Sequence, residues 1–457
     1  MTKKIIYILL LIANISFANV TLPSLFSDHM VLQQNEDVKF WGWANPSEEI
    51  VIKPSWTQET YKVKANNLAE WKLFIKTPKY GGPFIITITG NNEIVLNDVL
   101  IGEIWLCSGQ SNMEMSAAWG IKDGDEEIAK ANNSNIRFFT IDKTSARYPQ
   151  NNLFANWNVC TPETMKNSSA VAYFFAQGLQ NELKEIPIGL IVSAWGGTPA
   201  EIWMQEDVIK NNVVLFEAAN KLTPVEWGPT KPARAFNAMI NPLIGYNIAG
   251  ALWYQGEANV GATNYDQTLS ALIDSWRTLW KKKFPFYFVQ IAPYNYGENH
   301  FGGVEIRNAQ RKVADTIQNT AMVIITDIST SEDIHPKNKK PVGSRLANLA
   351  LKNHYHVIDG LVESPSFSKA TFQQKKAIVY FNYAEGLYQK GNASLFEIAG
   401  EDRVFYTGKS KINGDAIIVS SKKVKTPKYI RFAWGNTLQS NLFNKSNLPA
   451  SSFTTEN

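Results

Sequence analysis

Val99-Leu100-Ile101-Gly102-Glu103-Ile104-Trp105-Leu106-Cys107-Ser108-Gly109-Gln110-Ser111-Asn112-Met113 is the stretch that decides the fold of this chain. From Val99 to Leu106 it is an apolar run of strand length, without the alternation expected of a strand that has one wet face. It ends at Ser108-Gly109, where glycine lets the backbone turn sharply, and a serine follows at once. Downstream, Ile188 to Val192, Ile248 to Tyr254, Phe286 to Ile291 and Met322 to Thr326 repeat the short apolar run. Between them, Leu269, Leu272, Ile273, Trp276, Leu279 and Trp280 recur at helical spacing, as do Phe174, Phe175, Leu179 and Leu183 after the possible N-caps Ser168 and Ser169. This is the strand-helix rhythm of a parallel sheet with helices on both faces.

On either side the rhythm changes. Asp37 to Gly42, Glu49 to Ile52, Trp71 to Ile75 and Pro83 to Ile88 alternate apolar with polar residues between Asn, Pro and Gly clusters, which predicts an antiparallel β-sandwich. After about Val357, Ala377 to Phe381, Asp402 to Tyr406, Ala416 to Val419 and Tyr429 to Phe432 predict a closing β-domain. The expected organisation is therefore a leader over 1–18, a β-sandwich over 19–98, an α/β domain over 99–356 and a β-domain over 357–457. A length of 457 residues exceeds what one hydrophobic core usually serves, which agrees with several domains.

The leader reading comes from basic Lys3 and Lys4, an apolar Ile5 to Ile12 and the small-x-small Ser16-Phe17-Ala18, with cleavage expected after Ala18. That apolar run is shorter than the roughly 20 residues that span a bilayer. An exported chain without an integral membrane segment is expected, periplasmic or secreted. The net charge of +4 falls to +2 without Lys3 and Lys4, so no nucleic-acid partner is expected. Two cysteines, Cys107 and Cys160, exclude a disulfide scaffold and a four-cysteine zinc site, and leave one disulfide or two buried thiols. With no HExxH pattern either, no metal or other cofactor is expected.

In open parallel sheets ligands bind at the carboxyl ends of the strands, so the reactive residues there matter most. Ser111 follows the first strand. A serine hydroxyl needs a base, and the chain has only five histidines: His29, His300, His335, His354 and His356. His29 falls in the sandwich, His354 and His356 near a helix end, and His300 in a Gly- and Asn-rich loop. His335 follows the last strand in Glu332-Asp333-Ile334-His335-Pro336, with acids close by and a helix carrying Val342, Leu346 and Leu349 after it. Trp253-Tyr254-Gln255-Gly256-Glu257-Ala258-Asn259 follows another strand and offers an amide and a carboxylate. Trp195-Gly196-Gly197-Thr198 offers backbone N–H groups for an oxyanion.

Gly109-Gln110-Ser111-Asn112-Met113, Trp253-Tyr254-Gln255-Gly256-Glu257 and Asp333-Ile334-His335-Pro336 resemble the signature blocks of the sialate O-acetylesterases, within the SGNH-hydrolase superfamily. Acetylxylan esterases share related blocks. The resemblance extends from Leu25-Phe26-Ser27-Asp28-His29-Met30-Val31-Leu32-Gln33 to Asn447-Leu448-Pro449-Ala450-Ser451-Ser452-Phe453. It implies a three-layer α/β/α hydrolase domain flanked by N- and C-terminal β-rich domains, with Ser111 as nucleophile and His335 as base. It also implies an oxyanion hole from the N–H groups of Ser111 and of Gly196 or Gly197, together with the Gln255 amide. The superfamily's acid lies three positions before the histidine, where this chain has Glu332. Asp333 is the favoured triad acid, with Glu257 and Glu332 as alternatives, and Asn259 is a second candidate for the amide.

The expected partner is an acetylated carbohydrate, and the expected reaction is removal of its O-acetyl groups through an acetyl-enzyme. O-acetylated sialic acid is favoured over acetylated xylan, with Arg234 and Arg307 as possible carboxylate binders. The rival readings are another carbohydrate acetylesterase, an arylesterase or lipase, and a non-catalytic carbohydrate-binding protein.

Overall fold

A computed structural model describes residues 19–262, 264–297 and 300–456. The leader expected over 1–18 lies outside them. At the centre is a sheet in the order Thr320–Val323, Phe286–Val289, Gly250–Tyr254, Glu93–Gly109, Ile188–Ala194, Asn133–Thr140 and Trp157–Cys160. Its neighbours pair parallel except the last, which runs antiparallel to Asn133–Thr140. Every residue of Ile188–Ala194 and of Gly250–Tyr254 is buried, because helices cover both faces. Successive residues of the Glu93–Gly109 strand feed opposite cores: Ile104 and Leu106 join Trp253, Trp276 and Phe286, while Trp105 and Cys107 join Phe174, Phe175 and Leu346. The fold class is the α/β/α arrangement expected, with an antiparallel edge strand.

The helices fall where periodicity puts them. Tyr265–Trp280 buries Leu269, Leu272, Ile273 and Trp276. Ala170–Leu183 begins at Ser169, whose side chain accepts the Ala172 N–H, a cap worth about 1 kcal/mol. Lys339–Asn353 packs beside it.

Upstream, Asp37–Trp43 pairs with Glu70–Lys76, and Glu49–Pro54 pairs with both Tyr61–Lys64 and Gly81–Thr89, all antiparallel. Gly81–Thr89 pairs in turn with the first part of the Glu93–Gly109 strand. That strand is 17 residues long and runs without interruption from this sheet into the central one. The position between Asp98 and Val99 therefore lies inside a single strand.

Downstream, two four-stranded antiparallel sheets and a two-stranded one enclose a separate core of Val379, Phe396, Ile398, Val419, Phe432 and Phe453. The strand expected over Asp402 to Tyr406 is mostly a turn. Arg403 has φ 55°, and the Asp402 carboxylate accepts the Val404 N–H, so only Tyr406 reaches a strand. Asn133–Thr140 and Trp157–Cys160, read as no element in the sequence, are strands of the central sheet.

Candidate active site

The chain leaves the central strand at Gly109, passes out to Asn133–Thr140, returns through Ile188–Ala194 and crosses to Gly250–Tyr254 on the other side. The carboxyl end of the Ser111 strand is thus where the winding direction changes, the usual place for a ligand in an open α/β sheet. The turn is fastened on both flanks: Gln110 N–H donates to Tyr254 O (3.0 Å) and Trp195 N–H donates to Gly109 O (3.1 Å). Gly109 has φ 137°, and a Cβ there would stand 2.2 Å from Tyr254 O, so only glycine fits. Ser111 then opens a one-turn helix, Ser111–Glu114.

His335 Nε2 stands 2.8 Å from Ser111 Oγ. The two come from positions 224 residues apart and meet at the mouth of a cleft of about 510 Å³ lined also by Trp119, Trp195, Gly197, Trp227 and Glu257. Trp119 sets its ring edge-on to the imidazole. Partial burial holds the His335 pKa below its ordinary 6.5, and the ammonium of Lys339 adds to that effect while Asp333 opposes it. A neutral imidazole beside a serine hydroxyl is the protonation state a general base needs.

The acids divide in placement. Asp333 Oδ1 accepts the backbone N–H of His335 (2.8 Å), so it fixes the loop through the main chain. Among the described residues no carboxylate is hydrogen-bonded to the other ring nitrogen of His335. Glu332 is exposed, holds the Ser331 hydroxyl and does not line the cleft. Glu257 lines it but is buried, with Oε1 accepting from Asn112 Nδ2 (2.7 Å) and Oε2 without a partner. Burial raises its pKa to about 7.

Behind Ser111 is a network that the sequence reading missed. Asn112 Nδ2 also donates to Ile334 O (2.9 Å), and Asn112 Oδ1 accepts from Lys339 Nζ (2.6 Å). One amide therefore ties the serine turn, the histidine loop and two buried charges together. Lys339 is 1% exposed and faces the Tyr254 ring, and burial lowers its pKa to about 7.

The oxyanion expectation needs correction at Gln255. Its amide nitrogen donates to Thr198 O and Asn259 Oδ1, and its oxygen accepts from the Tyr265 hydroxyl, so both ends are engaged in the packing behind the cleft. Asn259 is likewise committed, to Ala200 N–H and Glu201. Gly196 and Gly197 both line the cleft, but the Gly196 N–H is taken, donating to Glu114 Oε2 (2.6 Å). Gln110 lines it too, its side-chain oxygen held by the Ala258 N–H (3.1 Å), which leaves its NH2 end as a donor. Arg307 is not a carboxylate binder: it is fully buried and donates to Gly435 O and Asn436 O. Arg234 does not line the cleft either, where the cation is Lys143, paired with Glu114 Oε1 (2.8 Å).

Residues 101–352, more than half of the chain, match the family described as "Carbohydrate esterase, sialic acid-specific acetylesterase". The chain belongs to this family. It is a carboxylic-ester hydrolase of the carbohydrate esterase type, and its curated relatives cover about three quarters or more of it. The sialate O-acetylesterase of Homo sapiens is 29% identical over 415 residues, which cover 82% of this esterase and 79% of the human protein. That of Mus musculus is 28% identical, covering 74% and 75%. The crystal structure of a carbohydrate acetylesterase from Xanthomonas citri superposes with a TM-score of 0.87 at 33% identity, covering 96% of this chain and all of that one.

Among the described residues no helix is long and apolar enough to cross a membrane, and no group of three or more His, Cys, Asp or Glu side chains could hold a metal ion.

Proposed function

We propose that this esterase removes O-acetyl groups from sialic acids by a serine mechanism, with Ser111 as nucleophile and His335 as general base. The observation that carries the reading is the 2.8 Å contact between His335 Nε2 and Ser111 Oγ at the mouth of a tryptophan-lined cleft. Ser111 Oγ attacks the acetyl carbonyl carbon while its proton passes to His335 Nε2. The Gly197 N–H and the Gln110 amide receive the developing oxyanion, each such donor being worth roughly 2.7–4 kcal/mol of barrier. The C–O bond to the sugar then breaks, the sugar oxygen takes the imidazolium proton, and an acetyl-enzyme remains. Water, deprotonated by His335, releases acetate and restores Ser111. Asp333 supports the imidazolium by its charge and holds the loop by its backbone contact.

Export rests on the leader-like residues 1–18, and mature protein beginning at Asn19 would bear it out.

Ser111→Ala should lose about 10⁴–10⁶ in turnover of p-nitrophenyl acetate and of 9-O-acetylated sialic acid with its fold intact. Near-normal rates in a folded Ser111→Ala protein would falsify the mechanism. A second reading, an esterase for neutral acetylated sugars such as acetylated xylan, is favoured by one observation. Glu114 already neutralises Lys143, the cation of the cleft. Comparing kcat/KM for the two substrates in wild type and Lys143→Met decides between them. A loss confined to the sialate belongs to the first reading, and a wild-type preference for xylan to the second.

A further inference from the structure

On the Asp37–Trp43 strand, alternation buries Val38, Phe40 and Gly42 and leaves Lys39, Trp41 and Trp43 half-buried, Trp41 with its ring edge-on to Phe26 of the core. On its partner strand Lys72 lies opposite Trp41, and Glu70 opposite Trp43. These side chains form one wall of a groove of about 490 Å³ whose other wall includes Asn151, and none of its lining is shared with the Ser111 cleft.

The groove is also electrostatically incomplete. Lys39 is half-buried, and its Nζ is 4.6 Å from the centre of the Trp41 ring. It has no ion pair or hydrogen bond among the described residues. Burial and the nearby Lys72 both push its pKa down. A partly desolvated ammonium with a like charge beside it gains from an anion in the groove. The acid in the lining, Glu70, is exposed and stands at the Trp43 end.

We propose that this groove is a second glycan site, which binds oligosaccharide chains carrying carboxylates. Lys39 and Lys72 meet the carboxylates, Trp43 packs against the apolar face of a pyranose ring, and Asn151 bonds sugar hydroxyls. The volume is of the order that a few sugar units fill. The choice of sugar among anions rests on the esterase reading, whereas the demand for negative charge does not. Such a site would hold the enzyme on a polymer while Ser111 acts elsewhere along it, so the gain is in local concentration of acetyl groups.

The test is calorimetric titration at low ionic strength with an α2,8-linked tetramer of unacetylated sialic acid and with neutral xylotetraose. It uses wild type, Lys39→Met/Lys72→Gln and Trp43→Ala, with thermal unfolding to confirm each fold. The wild type should bind the acidic tetramer at least tenfold more tightly than the neutral one. Both variants should lose that binding at least tenfold, with p-nitrophenyl acetate turnover unchanged. Absence of binding by the wild type, equal binding of the two tetramers, or undiminished binding in the folded variants would each overturn the proposal. Acidic-tetramer binding by a wild type that turns over no ester would instead sink the esterase reading and leave the groove standing.

Discussion

Two charges of opposite effect bear on the His335 imidazole: Asp333 on its own loop and Lys339 on the following helix. Glu257 across the cleft and the Glu114–Lys143 pair at its mouth complete the charged surroundings. Because the imidazole pKa is held below 6.5, the acid limb of kcat/KM should lie below pH 6.5. Removing the Lys339 ammonium removes a lowering influence, so Lys339→Met should move that limb to higher pH. Asp333→Asn removes a raising influence and should move it lower. Profiles with p-nitrophenyl acetate check both, and shifts of the same sign in the two variants would refute the assignment. Lys339→Met also leaves Asn112 Oδ1 without its donor, at a cost of about 1–3 kcal/mol. That Ser111 and His335 would be brought together was legible because a serine hydroxyl and a base at strand ends draw on scarce residue types. Lys339 was not, since in Lys339-Lys340 nothing but burial distinguishes the buried first lysine from the exposed second, which reaches back to the buried Glu127. Gln255 misled for a related reason: its place after a strand suggested the cleft, but Tyr265 and Asn259 draw its amide inward.

At the scale of the element, the turn after the central strand carries the site. Gly109→Ala would force a Cβ against the Tyr254 carbonyl at a backbone angle that L-residues rarely adopt. The Gln110 and Trp195 bonds that hold the turn would have to give way. We expect Gly109→Ala to lower stability by several kcal/mol, on the order of the larger single-residue effects, and to abolish esterase turnover in whatever protein folds. A variant with wild-type melting and activity would contradict this placement of the backbone. The inner strands of the sheet were readable because burial on both faces makes them uniformly apolar. Asn133–Thr140 was not: its first three residues are polar and only Ile136 to Phe139 are buried. Trp157–Cys160 is four residues long at the sheet edge, with Asn158 exposed, which leaves too little pattern to read.

Over the whole molecule, Cys107 and Cys160 are both free and buried, so the chain is held by packing without a disulfide. Burial raises both thiols, that of Cys160 to about 11. A thiol-reactive dye should label neither residue in the native protein and both after denaturation, and a reductant should leave the melting temperature unchanged. Fast native labelling would show that the core holding both thiols opens more readily than its packing implies. The 17-residue Glu93–Gly109 strand has a further consequence for how this protein can change over generations. Its near end is pinned by Gly81–Thr89, and its far end sets the register of the turn that presents Ser111. A recombination event that replaced the region before it would have to splice into that strand. An error of one residue would turn every following side chain to the opposite face. The N-terminal sheet is therefore inherited together with the turn that carries Ser111.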